Sequence, residues 1–157
     1  MGSIQKFLAV VARGLSARWA DWELQMIRTA RTFDVDRIRA LLKSVPGFWD
    51  ETWRTDVLER AIASADTIAI VHLDAEIIDG FACAHDVAFR SYLSELVVLP
   101  SAQGKGIGRQ LLTEIEKRLK ERGCSIVIAD VWRDAEEFYS TQGWTHPAVS
   151  LLFKRLT

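Results

Sequence analysis

The stretch that decides the fold is Glu95-Leu-Val-Val-Leu-Pro-Ser-Ala-Gln-Gly-Lys-Gly-Ile-Gly-Arg-Gln-Leu-Leu112. It predicts a strand that stops at Pro100, a turn with three glycines, and a helix over 108–122. The first backbone N–H groups of a helix have no partner within it, and the macrodipole adds partial positive charge there. Because glycines let a ligand approach this backbone closely, the turn predicts an anion site suited to phosphate. Lys105 and Arg109 add positive charge to the site.

Two familiar phosphate-binding patterns do not fit this turn. The dinucleotide fingerprint G-x-G-x-x-G matches Gly104 and Gly106, but Arg109 stands where the third glycine belongs. The Walker pattern G-x-x-x-x-G-K-[ST] fails because Gly106 follows Lys105 instead of preceding it. A glycine-rich turn before a helix also occurs for purely structural reasons, so the turn alone leaves a structural role open.

The rest of the chain alternates between predicted strands and helices. Apolar residues spaced three and four apart predict an amphipathic helix over 4–22. Further helices are predicted from the N-cap Asp34 to the break at Pro46-Gly47, then to about Ala65, and over 108–122 and 134–142. Strands are predicted over 26–30, 67–73, 77–85, 91–99, 125–129 and 144–153, the last either continuous or broken at Pro147. This order predicts an α/β (α+β) fold, a mixed sheet with helices on its faces.

Composition narrows the class of protein. The chain has 157 residues, of which 26% are charged, as in one globular domain. Twenty Lys and Arg against twenty-one Asp and Glu leave no basic field for a nucleic acid. No apolar run approaches the roughly 20 residues of a membrane span, so a cytoplasmic protein is expected. Cys83 and Cys124 form no zinc pattern, and no metal site is predicted.

Four segments of the chain match a set of motifs that occur together in one order. Gln103–Gly108 fits Q/R-x-x-G-x-G/A, and Ala135–Trp144 fits A-x-x-F-Y-x-x-x-G-F. Two strand motifs of the same set come earlier in the chain, and Ile77–Ala82 and Val98–Pro100 fit them. Together they resemble the GCN5-related N-acetyltransferase (GNAT) superfamily. Residues 25–157 are therefore interpreted as an acetyltransferase domain, and residues 1–24 as an N-terminal amphipathic helical extension.

The resemblance implies a mostly antiparallel central sheet with helices on both faces and splayed fourth and fifth strands. Acetyl-CoA, the implied co-substrate, lies in the gap between those strands. The pantetheine pairs with the backbone of Leu96, Val97 and Val98, as an added strand would. The pyrophosphate is implied to bind the loop formed by Gln103, Gly104, Lys105, Gly106, Ile107, Gly108 and Arg109. Trp132 is also expected at the cofactor, although many members carry an Asn there.

The implied reaction is direct transfer of the acetyl group to a primary amine. Tyr139 matches the tyrosine that protonates the leaving thiolate, and a phenol with a pKa near 10 suits that task. The other interpretation of Tyr139 is an aromatic that only packs under the cofactor. Glu95 is the candidate base, because it precedes the strand edge that the cofactor occupies. Its alternative is a solvated or salt-bridged carboxylate.

The acceptor side is less specific in the sequence. Phe48, Trp49 and Trp53 are expected to form an aromatic wall for an apolar or aromatic amine, or else to serve core and lid packing. His85 and Asp86 end the strand next to the proposed cofactor edge and are expected to reach the amine. The partner is a small-molecule amine or a peptide amine, and a homodimer is expected because sheet edges need cover. A non-catalytic acyl-CoA-binding sensor or interaction module on the same fold remains the competing interpretation.

Overall fold

The computed structural model describes residues 25–156, so the helix predicted over 4–22 lies outside the described residues. Five strands form one sheet, in chain order across it: β1 (Gln25–Thr29), β2 (Ala69–Asp74), β3 (Ile77–Asp86), β4 (Ser91–Val98) and β5 (Val127–Ala129). The first three pairings are antiparallel, and β4 pairs with β5 in parallel. The predicted mixed, mostly antiparallel sheet is confirmed.

Helices cover both faces of this sheet. They are α1 (Val35–Ser44), α2 (Val57–Ala65), α3 (Ile107–Glu121) and the short α4 (Glu136–Thr141). A Cβ built on Gly80 of β3 would lie 2.8 Å from Leu111 of α3. Three residues along the same strand, the Sγ of Cys83 lies 4.0 Å from the carbonyl oxygen of Ala61 in α2. Because successive side chains of a strand point to opposite faces, α3 and α2 pack on opposite sides.

The core is built from apolar residues whose spacing in the sequence matches the helix or strand in which they lie. In α3, the buried side chains fall three and four residues apart and form one stripe: Ile107, Leu111, Leu112, Ile115 and Leu119. In β2, the first five residues, 69–73, are all buried, because helices cover the sheet on both faces. The glycine-rich turn is therefore fixed at one end by β4 and at the other by a helix packed into the core.

The edge of β4 is freed halfway along the strand. Cys83 pairs with Glu95 and Ala84 pairs with Leu93, so Ser94 is an extra residue in a β-bulge. On the other side, β5 pairs with β4 only from Ser91 to Leu93. Beyond Leu93 the two strands separate, and the backbone groups of β4 on that side face a gap. The predicted splay of the fourth and fifth strands is confirmed.

The strand predicted over 144–153 is wrong, since the structure has no strand within 144–156. Pro147 has no N–H to donate to a ladder. The side chain of Trp144 is directed to α3 instead, where its Nε1 donates to Glu116 Oε1 at 3.0 Å. Ile126 and Ile128 at β5 therefore remain exposed. Among the described helices, none is long and apolar enough to cross a membrane.

The contact between β3 and α3 gives a test of the fold. An added Cβ at Gly80 would lie 2.8 Å from Leu111 and 2.9 Å from Ile107, so Gly80→Ala overpacks the joint between sheet and helix. We expect the free energy of unfolding to fall by about 1–3 kcal/mol, measured by urea denaturation. Ala63→Leu adds more volume on the exposed side of α2 and should change it by less than about 0.5 kcal/mol. Equal effects of the two variants would contradict the close packing.

Candidate active site

A cavity of about 1140 Å³ occupies the gap between β4 and β5. One wall is the bulged half of β4, from Leu93 to Val98. The other walls are the glycine-rich turn with the start of α3, the segment 129–135 after β5, α4, and the turn 45–48 after α1. The fold therefore brings these separate chain segments to one cleft, among them the motifs Gln103–Gly108 and Ala135–Trp144.

The glycine-rich turn presents its backbone at the N-terminus of α3. Gly104 and Gly106 both have a positive φ, of 77° and 84°, and nothing lies within 4 Å of where their Cβ atoms would be. Gly106 is the N-cap of α3 and has no side chain to cap the helix, so the first amides of α3 are open to an anion. The predicted anion site therefore has the necessary geometry.

The side chains of this turn have different roles. Arg109 lines the cavity, whereas Lys105 is exposed and is not among its lining residues. The Nε2 of Gln103 donates to the carbonyl oxygen of Val98 at 3.1 Å, which ties the turn to the end of β4. Gly108 allows close packing, since its Cβ would meet the ring of Phe138 at 3.4 Å. Arg109 is the cation of this loop that reaches the cleft.

Glu95 lies on β4 directly after the bulge and lines the cavity. Burial, and after it the negative charge of Asp130, raises the pKa of this carboxyl to about 7. A buried carboxyl gains a proton more readily because the charged form loses its hydration. Within residues 25–156, Glu95 forms no ion pair. The group is therefore suited to exchange a proton near neutral pH.

Asp130 follows β5 on the opposite side of the cleft and accepts a hydrogen bond from the hydroxyl of Tyr92 on β4. Burial, together with this bond and the charge of Asp130, raises the pKa of Tyr92. The bond links the two strands where they begin to separate. The sequence analysis did not select Tyr92, because only the parallel pairing of β4 with β5, which sets Tyr92 opposite Ile128, brings it near Asp130.

Tyr139 projects from α4 into the same cleft. Its ring makes edge contacts with Phe138 and Trp144, at centroid distances of 5.2 and 5.3 Å. Burial, and then the negative charges of Asp130 and Glu95, raises the pKa of Tyr139 to about 12. The phenol therefore keeps its proton at neutral pH and is available as a donor.

His85 and Asp86 lie outside the lining of the cavity. The hydroxyl of Ser94, which does line it, donates to the carbonyl oxygen of Cys83 and lies 3.1 Å from His85 Nε2. With that donation, Nε2 carries the proton of a neutral His85, and Nδ1 accepts from Ser64 at 3.1 Å. Burial lowers the pKa of His85, which favours this neutral form. His85 therefore supports the bulge through its contact with Ser94 and does not line the cavity. Asp86 is exposed, and its carboxylate accepts a hydrogen bond from the N–H of Ala88.

The aromatic residues divide between the cavity and its support. Trp53 lines the cavity, and Trp49 packs edge-on against it at 5.6 Å without being part of the lining. Trp132 also lines the cavity and stacks on Phe48, with ring centroids 6.3 Å apart and planes 6° apart. Phe48, which the sequence analysis expected in the aromatic wall, also lines the cavity. No group of three or more His, Cys, Asp or Glu that could hold a metal is present within residues 25–156.

Comparison with known proteins places this chain in a family. A family model described as acetyltransferase (GNAT) family matches residues 35–144, more than half of the chain. The chain is 26% identical over 122 residues to an uncharacterized ycf52-like N-acetyltransferase of Prochlorococcus marinus, covering 73% of this chain and 64% of that protein. It is 29% identical over 113 residues to an aminoglycoside N(6')-acetyltransferase type 1 of Salmonella typhimurium, covering 66% and 78%.

Solved structures share the fold at low sequence identity. The aminoglycoside N-acetyltransferase AAC(6')-Iy in complex with CoA matches with a TM-score of 0.67 at 18% identity, over 83% of this chain and 94% of that one. Ard1 of Thermoplasma volcanium matches with a TM-score of 0.68 at 16% identity, over 80% and 85%. Because the family model matches residues 35–144, the chain belongs to the acetyltransferase (GNAT) family, as its motifs predicted.

The pair of carboxyls across the cleft gives a direct test of its electrostatics. Asp130→Asn removes a negative charge near Glu95, so the charged form of Glu95 becomes less unfavourable and its pKa should fall below about 7. The titration can be followed by NMR with carbon-13-labelled glutamate. Asp134→Asn, which removes another carboxylate of the cavity lining, is the matched control and should leave the titration unchanged. An unaltered Glu95 pKa in the Asp130→Asn protein would contradict the coupling.

Proposed function

We propose that this protein transfers the acetyl group of acetyl-CoA directly to the primary amine of a small molecule. The observation that carries the proposal is the meeting of an open anion-binding helix start, a freed strand edge, and Glu95 and Tyr139 in one cleft. Relatives named as aminoglycoside N(6')-acetyltransferases support a small-molecule amine. A structural neighbour in complex with the bisubstrate analog CoA-S-monomethyl-acetylneamine supports an acyl-CoA co-substrate.

Each part of the cleft has a binding task in this proposal. The amides that open α3, from Gly104 to Arg109, bind the pyrophosphate, and the guanidinium of Arg109 adds positive charge. The freed edge of β4, Leu96 to Val98, pairs with the pantetheine arm as an added strand. Trp132 offers that arm an apolar surface instead of a polar side chain.

Proton transfer is assigned to the two groups whose pKa values the cleft perturbs. Glu95 takes a proton from the substrate ammonium, which frees the lone pair on nitrogen. The nitrogen then attacks the thioester carbon, and an N–H of the freed β4 edge stabilises the oxyanion. As the carbon–sulfur bond breaks, Tyr139 donates its proton to the sulfur. The nitrogen, which carries an extra proton after attack, releases it to restore the Tyr139 phenol, and the proton held by Glu95 returns to solvent.

Direct transfer is favoured over an acyl-enzyme because the described residues offer no activated nucleophile in the cleft. Burial raises the pKa of Cys83 to about 12, so its thiol remains protonated, and it does not line the cavity. Ser94 lines the cavity, but its hydroxyl proton is directed to the Cys83 carbonyl. The amine itself is therefore the attacking group.

The cytoplasmic location and the homodimer remain predictions.

Binding of the co-substrate is tested with a charge reversal at the loop. Arg109→Glu places a negative charge in the cavity where the pyrophosphate is proposed to bind, and should weaken acetyl-CoA binding by about 100-fold or more. Isothermal titration calorimetry with acetyl-CoA gives the dissociation constant. Lys120→Glu makes the same charge change in the last turn of the same helix and should bind like the wild type. A folded wild-type protein that does not bind acetyl-CoA would overturn the proposed function.

Catalytic roles are tested separately from binding. Tyr139→Phe removes the proton donor and Glu95→Gln removes the base, and each should lower kcat by about 10²–10⁴-fold. The KM for acetyl-CoA should change little, because neither substitution alters the loop at α3. Release of free thiol from acetyl-CoA in the presence of an amine gives both constants. Turnover at the wild-type rate in both variants would leave the acyl-CoA-binding site without the assigned chemistry.

A further inference from the structure

Three aromatic side chains, those of Phe48, Trp53 and Trp132, line one side of the cleft and are called the aromatic wall below. The rings of Phe48 and Trp132 are nearly parallel, with centroids 6.3 Å apart. A Cβ on Gly47 would collide with the ring of Trp132, so this indole lies directly on the backbone of the turn. Gly47 has a φ of 86°, which also favours glycine at this position. Trp53 extends the same apolar surface along the cavity.

The wall is held in place from behind. Trp49 contacts Trp53 edge-on at 5.6 Å. The cations of Lys43 and Arg39, both on α1, lie 5.3 and 5.9 Å from the centroid of Trp49. A surface anchored in this way is preorganised, so a ligand that packs on it does not have to order it first.

The charges around the wall are distributed unevenly. The acidic residues of the segment 51–59 are paired with the protein's own cations: Glu51 with Lys43 at 2.7 Å, Asp56 with Arg54 at 2.8 Å, and Glu59 with Arg39 at 3.7 Å. Glu95 and Asp130, by contrast, line the cavity and have no cationic partner among the described residues. Unpaired negative charge is thus available to a substrate inside the cleft, beside the aromatic wall.

We infer that the acceptor is a primary amine whose single ammonium group is attached to a flat apolar body. The body packs on Phe48 and Trp53, and the ammonium faces Glu95 and Asp130. This inference rests on the proposed transferase function and narrows its substrate. A polyhydroxylated polycation fits this surface poorly, because the apolar wall would remove water from its hydroxyls and extra charges without giving them partners. The cleft therefore favours a substrate unlike the aminoglycosides in the names of two relatives.

The experiment compares amines that share the ammonium group and differ in the body. Thiol release from acetyl-CoA is measured for 2-phenylethylamine, ethylamine, spermidine and kanamycin with the full-length wild-type protein. We expect kcat/KM for 2-phenylethylamine to exceed the values for the other three by about tenfold or more. The ratio of phenylethylamine to ethylamine is the decisive quantity, because effects on acetyl-CoA binding cancel in it.

Variants of the wall link the preference to its residues. Phe48→Ala should lower the ratio of phenylethylamine to ethylamine by about tenfold, whereas Phe48→Tyr should preserve it. Phe89→Ala removes a phenyl ring that is 92% exposed and outside the cavity lining, and should leave the ratio unchanged.

The outcomes separate the two proposals. A higher kcat/KM for spermidine or kanamycin would overturn the inference and leave the transferase function in place. The same follows from a ratio that does not respond to Phe48→Ala. If acetyl-CoA binds but none of the four amines is acetylated, the inferred class of acceptor is wrong. If acetyl-CoA does not bind to the folded protein, the proposed function itself fails.

Discussion

The structure depends on how early the pairing between β4 and β5 ends. Three register pairs join these strands, and the last joins Leu93 to Ala129. The bulge at Ser94 then turns β4 away, so the following residues keep their ladder to β3 and lose a neighbour on the other side. Unpaired backbone groups at a strand edge bind another extended chain well. In this protein they face an internal cleft, where a ligand rather than a second protein can use them.

The perturbed acids follow from the same geometry. The separation of the strands makes a cavity in which Glu95 and Tyr139 are partly buried and both line the surface. Loss of hydration raises the pKa of Glu95 to about 7 and that of Tyr139 to about 12. One group can then accept a proton near neutral pH and the other can hold one, as the proposed reaction requires. Asp130 strengthens both effects through its charge.

Much of this arrangement could be predicted from local patterns. The helix expected over 108–122 spans Ile107–Glu121, and the strand expected over 91–99 spans Ser91–Val98. Long periodic segments with clear stops, such as Pro100, give reliable elements. The strand expected over 144–153 is absent: Pro147 within it has no N–H to donate to a ladder, and no strand of the described residues pairs with this segment.

The parts of the site that are contiguous in sequence were easier to predict than the parts that the fold brings together from distant segments. The anion loop is one continuous turn, so its glycines carried the signal. The hydrogen bond from Tyr92 to Asp130 and the stack of Phe48 on Trp132 join residues far apart in sequence. His85 and Asp86 were expected to reach the amine from their place at the end of β3. The tertiary contacts of His85 with Ser64 and Ser94 decide its role instead.

Hydrogen–deuterium exchange along β4 and the glycine-rich turn tests the central claim most directly. The claim is that the freed edge of β4 and the amides opening α3 form one acyl-CoA site. Addition of acetyl-CoA should slow exchange in both segments, 94–98 and 104–109, while the exposed hairpin turn 87–90 exchanges as before. Slowed exchange in neither segment at saturating acetyl-CoA, or slowed exchange elsewhere only, would contradict the account.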